Sequence, residues 1–387
     1  MGVKWIPHYN VFSDIMKKIV FISTNSIEKD TRIKKEIDAL PEYEIIWLAW
    51  DRHGKKLGIN KAMDDRIHSY ELQMKEYNKF KILLVFYLPI WWMYISFFLL
   101  FKKYNFIHCL NYDTILPALV FGKIRRKKII YELLDIHELG DFVSDKNRNF
   151  FLKIDKFFMK HSDGVIIVDD EVIDGINGIP NDNICVIFDS PPTKFINNSD
   201  ENIKIDKSNF NIFYAGWFNK KRRLNIDKLL DAIIDIDNVK LNIAGVGDLS
   251  EYIKNEKYEK KINYIGILPY SSVFKYGTQM DLFFVLRDSN ILENQYICGS
   301  TIFNSMLCKK PLIVNFNTST TKKVIKAQCG VKVHEDSISE IRNAIINLKN
   351  DKDKIRKMGR NGHNYYKNNF SWDIMSSRLN EFYEEMV

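Results

Sequence analysis

The sequence predicts an α/β protein with parallel sheets, organised as two domains, and three observations carry that expectation. Short β-rich apolar runs alternate with helical patterns along the whole chain, the mark of strand–helix–strand units. A stretch rich in Asn, Asp, Ser and Lys over residues 193–208 interrupts the alternation, as an interdomain linker does. The 387 residues are enough for two hydrophobic cores.

The elements follow in order. KIVFISTNS (18–26) reads as a strand, and a helix beginning near Asp30-Thr31 sets Ile33, Ile37 and Leu40 on one face. YEIIWLAW (43–50), NFIHCLN (105–111), KKIIYELLD (127–135), DGVIIVDD (163–170) and NICVIFDS (183–190) continue as strands until Pro191-Pro192 stops them. After the linker, NIFYAGWFNKKRR (211–223) is a strand, a glycine turn and a basic loop. A helix over 225–236 follows, then strands at 240–248, 261–268, 281–288 and 312–316. Residues 337–387 read as polar-faced helix. The expected divisions are 1–192, a linker 193–208, a second domain 209–365 and a final helix 366–387.

Composition excludes several classes. With 46% apolar and 27% charged residues the chain is neither disordered nor fibrous. Cys109, Cys185, Cys298, Cys308 and Cys329 are scattered, odd in number and free of any C-x-x-C pair. They fit free thiols in a reducing, cytoplasmic compartment. His137-Glu138 has Asp141 where an HExxH motif needs its second histidine, so no His/Cys metal site is expected. The net charge of +8 gathers partly in Lys102-Lys103 and in Lys123, Arg125, Arg126, Lys127 and Lys128. Without zinc-finger spacing, an RNA-recognition signature or a basic helix with heptads, nucleic acid is not the expected partner. The first 16 residues lack the continuous apolar core of a signal peptide.

Residues 82–101 are twenty residues without a charge, the length of a membrane crossing. A single crossing would part strands of one sheet, so the segment is expected either to kink at Pro89 and re-enter or to lie at an interface. Trp91, Trp92, Tyr87 and Tyr94 suit headgroup depth, and lysines 79, 81, 102 and 103 flank the ends. The alternative is a helix buried under the sheet. The nearby basic run favours a membrane surface.

Candidate sites come next. GSTIFNSMLCKKPLIVNFN (299–317) reads as a helix opening on Gly299, Ser300 and Thr301, followed by Pro311 and a buried strand. Such a start offers N–H groups to a phosphate. Gly216 with Lys221, Arg222 and Arg223 suits a diphosphate clamp, or else a solvated basic loop. Gly245-Val246-Gly247 lacks the third glycine of a dinucleotide fingerprint, having Ser250, and lacks its acid; a phosphate or base contact by the glycine backbone is what is left. Asp235-Ile236-Asp237 reads as a polar turn. Asp169-Asp170-Glu171 reads as a helix-capping cluster or a cation ligand. Asp135, His137 and Glu138 end a strand where a cleft would lie.

Together DTRIKKEIDAL (30–40), YAGWFNKKRRLNIDKLLDAI (214–233), IFNSMLCKKPLIV (302–314) and MGRNGHNYYKNNFSW (358–372) resemble the GT-B glycosyltransferases, in particular the retaining family-four-like, group 1 branch. The resemblance implies an α/β GT-B fold, two Rossmann-like domains facing across a cleft with a last helix crossing back to the first. It also implies an N-terminal acceptor domain, a C-terminal nucleotide-sugar domain, retention of anomeric configuration, and no metal or other cofactor. By position, Gly216 and Arg222 or Arg223 would face the donor diphosphate, and Gly299–Thr301 would lie beneath its phosphates. Asn304 stands where the family has a ribose-binding glutamate; Tyr296 stands at its companion acid, with Glu293 nearest. Leu134-Asp135 replaces a His-Asp pair, with His137 close by. An amide accepts fewer and weaker bonds from a ribose diol than a carboxylate does.

The expectation is therefore a peripheral enzyme on the cytoplasmic face of a membrane, moving a sugar from a nucleoside diphosphate to a lipid-linked or surface-glycan acceptor. Asp135, His137 and Glu293 are its candidate catalytic residues. Gly216, Lys221, Arg222, Arg223, Gly245, Gly247, Gly299, Ser300, Thr301 and Asn304 are its candidate donor contacts. The rivals are a weakened GT-B subunit that only binds, and a sugar-nucleotide epimerase.

Overall fold

The computed structural model describes residues 16–25, 31–51, 64–73, 84–136, 145–196, 203, 205–218, 224–247 and 255–387. Its chain divides into two compact units. The first holds Met1–Ile167, Ile179–Cys185 and Ser376–Val387; the second holds Val168–Gly178 and Val186–Met375.

The first unit is built on β1 (Lys17–Ser23), α1 (Thr31–Asp38), β2 (Tyr43–Asp51), β3 (Ile67–Gln73), α2 (Leu84–Phe101), β4 (Phe106–Leu110), α3 (Tyr112–Ile124), β5 (Lys128–Leu133), α4 (Asp145–His161), β6 (Gly164–Ile167) and β7 (Ile184–Val186), the last reaching one residue into the second unit; α5 (Val172–Gly175) lies in the second. The strands form one sheet in the order β3-β2-β1-β4-β5-β6-β7. β1 is an interior strand, paired with β2 and β4, and from Ile19 to Ser23 it is buried throughout, as strands covered on both faces must be. β3 was not among the expected strands. Its sequence IHSYELQ alternates polar residues and stays partly exposed at the sheet edge, paired in parallel with β2.

The steps from β3 to β4, β4 to β5 and β5 to β6 all run the same way across the sheet. Right-handed crossovers then set α2, α3 and α4 on one face, where α2 packs beside α3 and α3 beside α4. The expected re-entrant break at Pro89 is not found: α2 is one helix from Leu84 to Phe101 with Pro89 inside it. An internal proline costs about 3 kcal/mol. Trp91, Ile95, Phe98 and Leu99 are buried beneath the helix, and each large apolar side chain so buried contributes about 1.5–3 kcal/mol. The inner face outweighs the proline. Nor is the helix a fully buried one, since Met93, Phe97 and Phe101 are exposed. No described helix is long and apolar enough to cross a membrane.

The second unit carries β8 (Phe210–Phe218), α6 (Ile226–Ile233), β9 (Val239–Gly247), β10 (Ile262–Gly266), α7 (Tyr270–Gln279), β11 (Leu282–Val285), α8 (Leu292–Tyr296), α9 (Thr301–Leu307), β12 (Leu312–Asn315), α10 (Ser319–Lys326), β13 (Gly330–Val333), α11 (Ile338–Asn350), α12 (Lys352–Asn369) and the first residues of α13 (Trp372–Glu385). Its sheet runs β10-β9-β8-β11-β12-β13, all pairs parallel. Every strand therefore ends on the same edge.

The chain enters the second unit at Val168, returns to the first at Ile179 and enters the second again at Val186. Thr193–Ile196, the start of the expected linker, is a 3-10 turn whose Phe195 stacks on Phe274, and Tyr366 Oη donates to the Pro191 carbonyl. That apolar packing draws the segment into the second body. From Ser376 onward α13 belongs to the first unit. There Tyr383 packs on Tyr43 and Phe106, and Asn380 Nδ2 donates to the Ala39 carbonyl at 2.8 Å.

Candidate functional site: the carboxyl edge of the second sheet

β8 and β9 end side by side, with Gly216 opposite Gly245 and Phe218 opposite Gly247. Gly245 and Gly247 have φ of 133° and 150°, where side chains are disfavoured. A Cβ on Gly245 would overlap the Gly216 carbonyl oxygen, and one on Gly247 would overlap that of Phe218. Backbone packing thus demands both glycines, whatever ligand they meet. Gly245→Ala is expected to destabilise the unit by at least the ~1–3 kcal/mol of a strained backbone; an unchanged urea midpoint would refute this. Trp217, 70% exposed, and the exposed Val246 and Tyr264 stand at the same edge, Tyr264 Oη donating to the Gly245 carbonyl at 3.0 Å. The sequence reading had not singled out these apolar groups. Lys221, Arg222 and Arg223 lie outside the described residues.

A different cation reaches the edge. Arg287 follows β11, and its guanidinium lies so close to Gly299 that a Cβ there would collide with it. Asn315, ending β12, fixes this position: its Oδ1 accepts the Arg287 N–H at 2.9 Å. Asn315 Nδ2 donates to Glu335 at 3.3 Å, and Glu335 also accepts the Ser289 N–H at 2.9 Å. The signal for Arg287 was present in the sequence as a basic residue directly after a buried apolar strand.

The loop leading into α9 is held from below by a buried knot. Asp169 Oδ2 accepts the Cys298 N–H at 2.8 Å and the Ser319 hydroxyl at 2.7 Å. Lys323 Nζ donates to Asp169 Oδ1 at 2.8 Å, to Asp170 at 2.9 Å and to Ser319 Oγ at 2.8 Å. The 169–171 cluster, expected to cap a helix or hold a cation, makes no side-chain cap on α5; Asp169 and Asp170 pair instead with Lys323, and Glu171 with the neighbouring Lys322. Burial alone disfavours the Lys323 ammonium, but the Cys298 sulfur and the two carboxylates outweigh it and raise its pKa. The knot ends one residue before Gly299.

α9 spans seven residues, starting at Thr301 with Ser300 as N-cap but no side-chain capping bond. Asn304 lies within it, 3% exposed, and its Oδ1 accepts no hydrogen bond. Buried acceptors of this kind are rare. Glu293 sits half-buried in α8, whose Asn294 and Gln295 side chains donate to the carbonyls of Asp288 and Ser289. Tyr296 packs on Gly175. Glu293 and Asn304 therefore stand on two short helices joined by the Cys298–Gly299 loop.

In the first unit, Asp135 is half-buried just past the carboxyl end of β5. His137 and Glu138 lie outside the described residues. Nearby in sequence is a cluster that the sequence reading missed, although two of its members lie in the 30–40 segment. Arg32 donates to Glu132 Oε1 through Nε at 2.9 Å and Nη2 at 2.6 Å, and pairs with Glu36 at 3.0 Å. His108 joins Glu132 Oε2 at 2.9 Å and the Tyr383 hydroxyl at 2.8 Å. Burial works against the Glu132 carboxylate, but Arg32 and His108 overcome it and hold the pKa down at about 2. Ligand atoms of Glu36, His108 and Glu132 lie within 4.8 Å of one another, yet the Arg32 guanidinium already supplies the counter-charge.

Residues 195–365 match the family described as glycosyl transferases group 1. The chain is 24% identical over 267 residues to an uncharacterized glycosyltransferase of Methanocaldococcus jannaschii, covering 68% of this chain and 71% of that one. Its fold resembles sucrose-phosphate synthase from Thermosynechococcus elongatus, with a TM-score of 0.77, 14% identity, and coverage of 96% and 99% of the two chains. It also resembles HepE of Anabaena in complex with UDP and glucose, with a TM-score of 0.70, 13% identity, and coverage of 95% and 100%.

Proposed function

We propose that this chain is a glycosyltransferase, its fold resembling GT-B enzymes and its residues 195–365 matching the group 1 family, and that its second unit binds a nucleoside diphosphate sugar. The single observation that carries the donor reading is that the buried Oδ1 of Asn304 lacks a hydrogen-bond donor; by the resemblance, Asn304 stands where the family holds ribose. A ribose hydroxyl would satisfy it once the donor's arrival opens this buried oxygen to contact. The UDP held by the Anabaena relative supports a uracil nucleotide as the first donor to try.

In this reading Gly299, Ser300 and Thr301 receive the diphosphate, with the Arg287 guanidinium beside Gly299. Lys221, Arg222 and Arg223, next in sequence after β8, add positive charge, and Gly216, Gly245 and Gly247 let the ligand approach the backbone. When the anomeric C–O bond to the diphosphate breaks, negative charge grows on the leaving oxygen, and fixed cations lower that barrier. The acceptor hydroxyl forms the new C–O bond to the anomeric carbon and gives its proton to the departing diphosphate oxygen. Asp135 and His137 are the candidates for positioning the acceptor or the donor sugar, and Glu293 is the further catalytic candidate. Retention of configuration, independence of metal and a lipid-linked or surface-glycan acceptor at the cytoplasmic face complete the proposal.

The test uses Asn304→Ala. No hydrogen bond to Oδ1 is lost from the free protein, so its melting temperature should fall only by the cost of the small void left at a buried site. Nucleotide-sugar affinity should fall about tenfold, the worth of one hydrogen bond of ~1.4 kcal/mol. Wild type at a hundredfold excess over Kd should gain about 2.7 kcal/mol of stability. If no nucleotide or nucleotide sugar stabilises the wild type, the donor reading fails and the binding-subunit rival takes its place. An epimerase would instead interconvert donor sugars without acceptor.

A further inference from the structure

The three helices on one face of the first sheet turn an unusual surface outward. On α2, Ile90, Met93, Phe97, Leu100 and Phe101 are exposed, spaced as one helical stripe, with Phe97 at 67% and Phe101 at 71%. Their rings pair at 4.8 Å between centroids. On α3, Val120 and Ile124 are exposed one turn apart, Ile124 at 68%. The two helices run alongside each other. Trp92 Nε1 donates to the Asp113 carbonyl at the start of α3, and Arg125 Nη1 donates to the Leu99 and Lys102 carbonyls at the end of α2. Ile124 thus stands beside the Leu100–Phe101 end.

α4, packed against α3, presents Phe150, Lys153, Phe157 and Lys160 to solvent. That order interleaves ring and ammonium along one face. Exposed Lys102, Lys103, Lys123, Arg126 and Lys128 gather where α2 and α3 end. Among the described side chains of α2, α3 and α4 no exposed carboxylate answers these charges: Asp113 is buried, and Asp155 is half-buried with the Tyr131 hydroxyl donating to it at 2.9 Å.

Soluble monomers rarely leave so continuous an apolar face open. What covers it is decided by charge. A second copy, related by a two-fold axis, would set the same lysines against each other. A bilayer with anionic headgroups takes apolar side chains and lysines together, the ammonium ends rising to the phosphates while the rings sink.

We propose that the outward face of α2, α3 and α4 is a docking surface for an anionic lipid bilayer, lying on it without crossing. It extends the membrane reading from one helix to three, and it rests on the lipid-linked acceptor only for its purpose. Docking can therefore be measured with neither donor nor acceptor present, and its failure would leave the nucleotide-sugar reading standing.

The full chain would be floated with vesicles of phosphatidylcholine mixed with phosphatidylglycerol, and with vesicles of phosphatidylcholine alone. Wild type is expected to partition onto the mixed vesicles and to be released by salt. The triple variant F97S/F101S/I124S should lose at least about tenfold in partitioning with an unchanged melting temperature, because these side chains lie outside the core. Lys103→Gln with Lys123→Gln should lose about fivefold per charge on the mixed vesicles only. Absence of partitioning, or unchanged partitioning of the triple variant, overturns the proposal. So does a wild-type dimer that the triple variant turns into a monomer, since a second copy would then own the face.

Discussion

Asp169→Ala is expected to cost about 3–5 kcal/mol and to loosen the entry to α9. The carboxylate is fully buried, and the Lys323 ammonium beside it nearly so. Removing one member of a buried ion pair leaves the other charge without compensation, the origin of that magnitude. Asp170 does not substitute, being largely exposed. Two further donors, the Cys298 N–H and the Ser319 hydroxyl, lose their acceptor at the same moment. The variant should show a lower urea midpoint and faster amide exchange over residues 297–307. Asp169→Ala with Lys323→Met should recover much of the loss, since no buried charge is then stranded. A single-variant cost under ~1 kcal/mol would mean the knot does not hold the loop.

The second large effect belongs to Glu132. Its pKa in the folded protein is about 2, against an ordinary 4.5. A lowered carboxylate pKa contributes stability that is fully present above the ordinary value and lost as pH falls through the folded one. The window is therefore from about pH 4.5 down to about pH 2, and the depressed pKa corresponds to about 3 kcal/mol there. Glu132→Gln should flatten the acid limb of the stability curve by that amount. Arg32→Met should cost about 3–5 kcal/mol at neutral pH, because it leaves Glu132 buried beside Glu36. Parallel acid-unfolding curves for wild type and Glu132→Gln would refute the assignment.

Much of the fold was legible. Strands buried on both faces are continuous apolar runs, so KIVFIS, YEIIWLAW and LFFV announce themselves, and their alternation with helices implies parallel sheets. β3 escaped because an exposed edge strand needs no such run. Pro89 misled because local propensity cannot see the sheet that buries Trp91 and Ile95 beneath the same helix.

The site was legible in part. Gly245 and Gly247 were marked, but only the paired backbones of β8 and β9 show why nothing larger fits. Asp169-Asp170-Glu171 was visible as an acid cluster, while its cation lies more than 150 residues further along the chain. Arg287 looked like the end of a strand until Gly299 came to lie against it.

By itself the sequence determined the α/β class, the two-part organisation and the short segments whose residue types suit a sugar nucleotide. Periodicity and turn chemistry are local, and one chain displays them without its neighbours. Tertiary structure alone decided which charges meet. Arg32 finds Glu132, Lys323 finds Asp169, and α2 turns half its apolar surface outward beside α3. Those outcomes depend on strand order and crossover handedness, which bring distant residues within a few ångströms and leave no trace in local spacing.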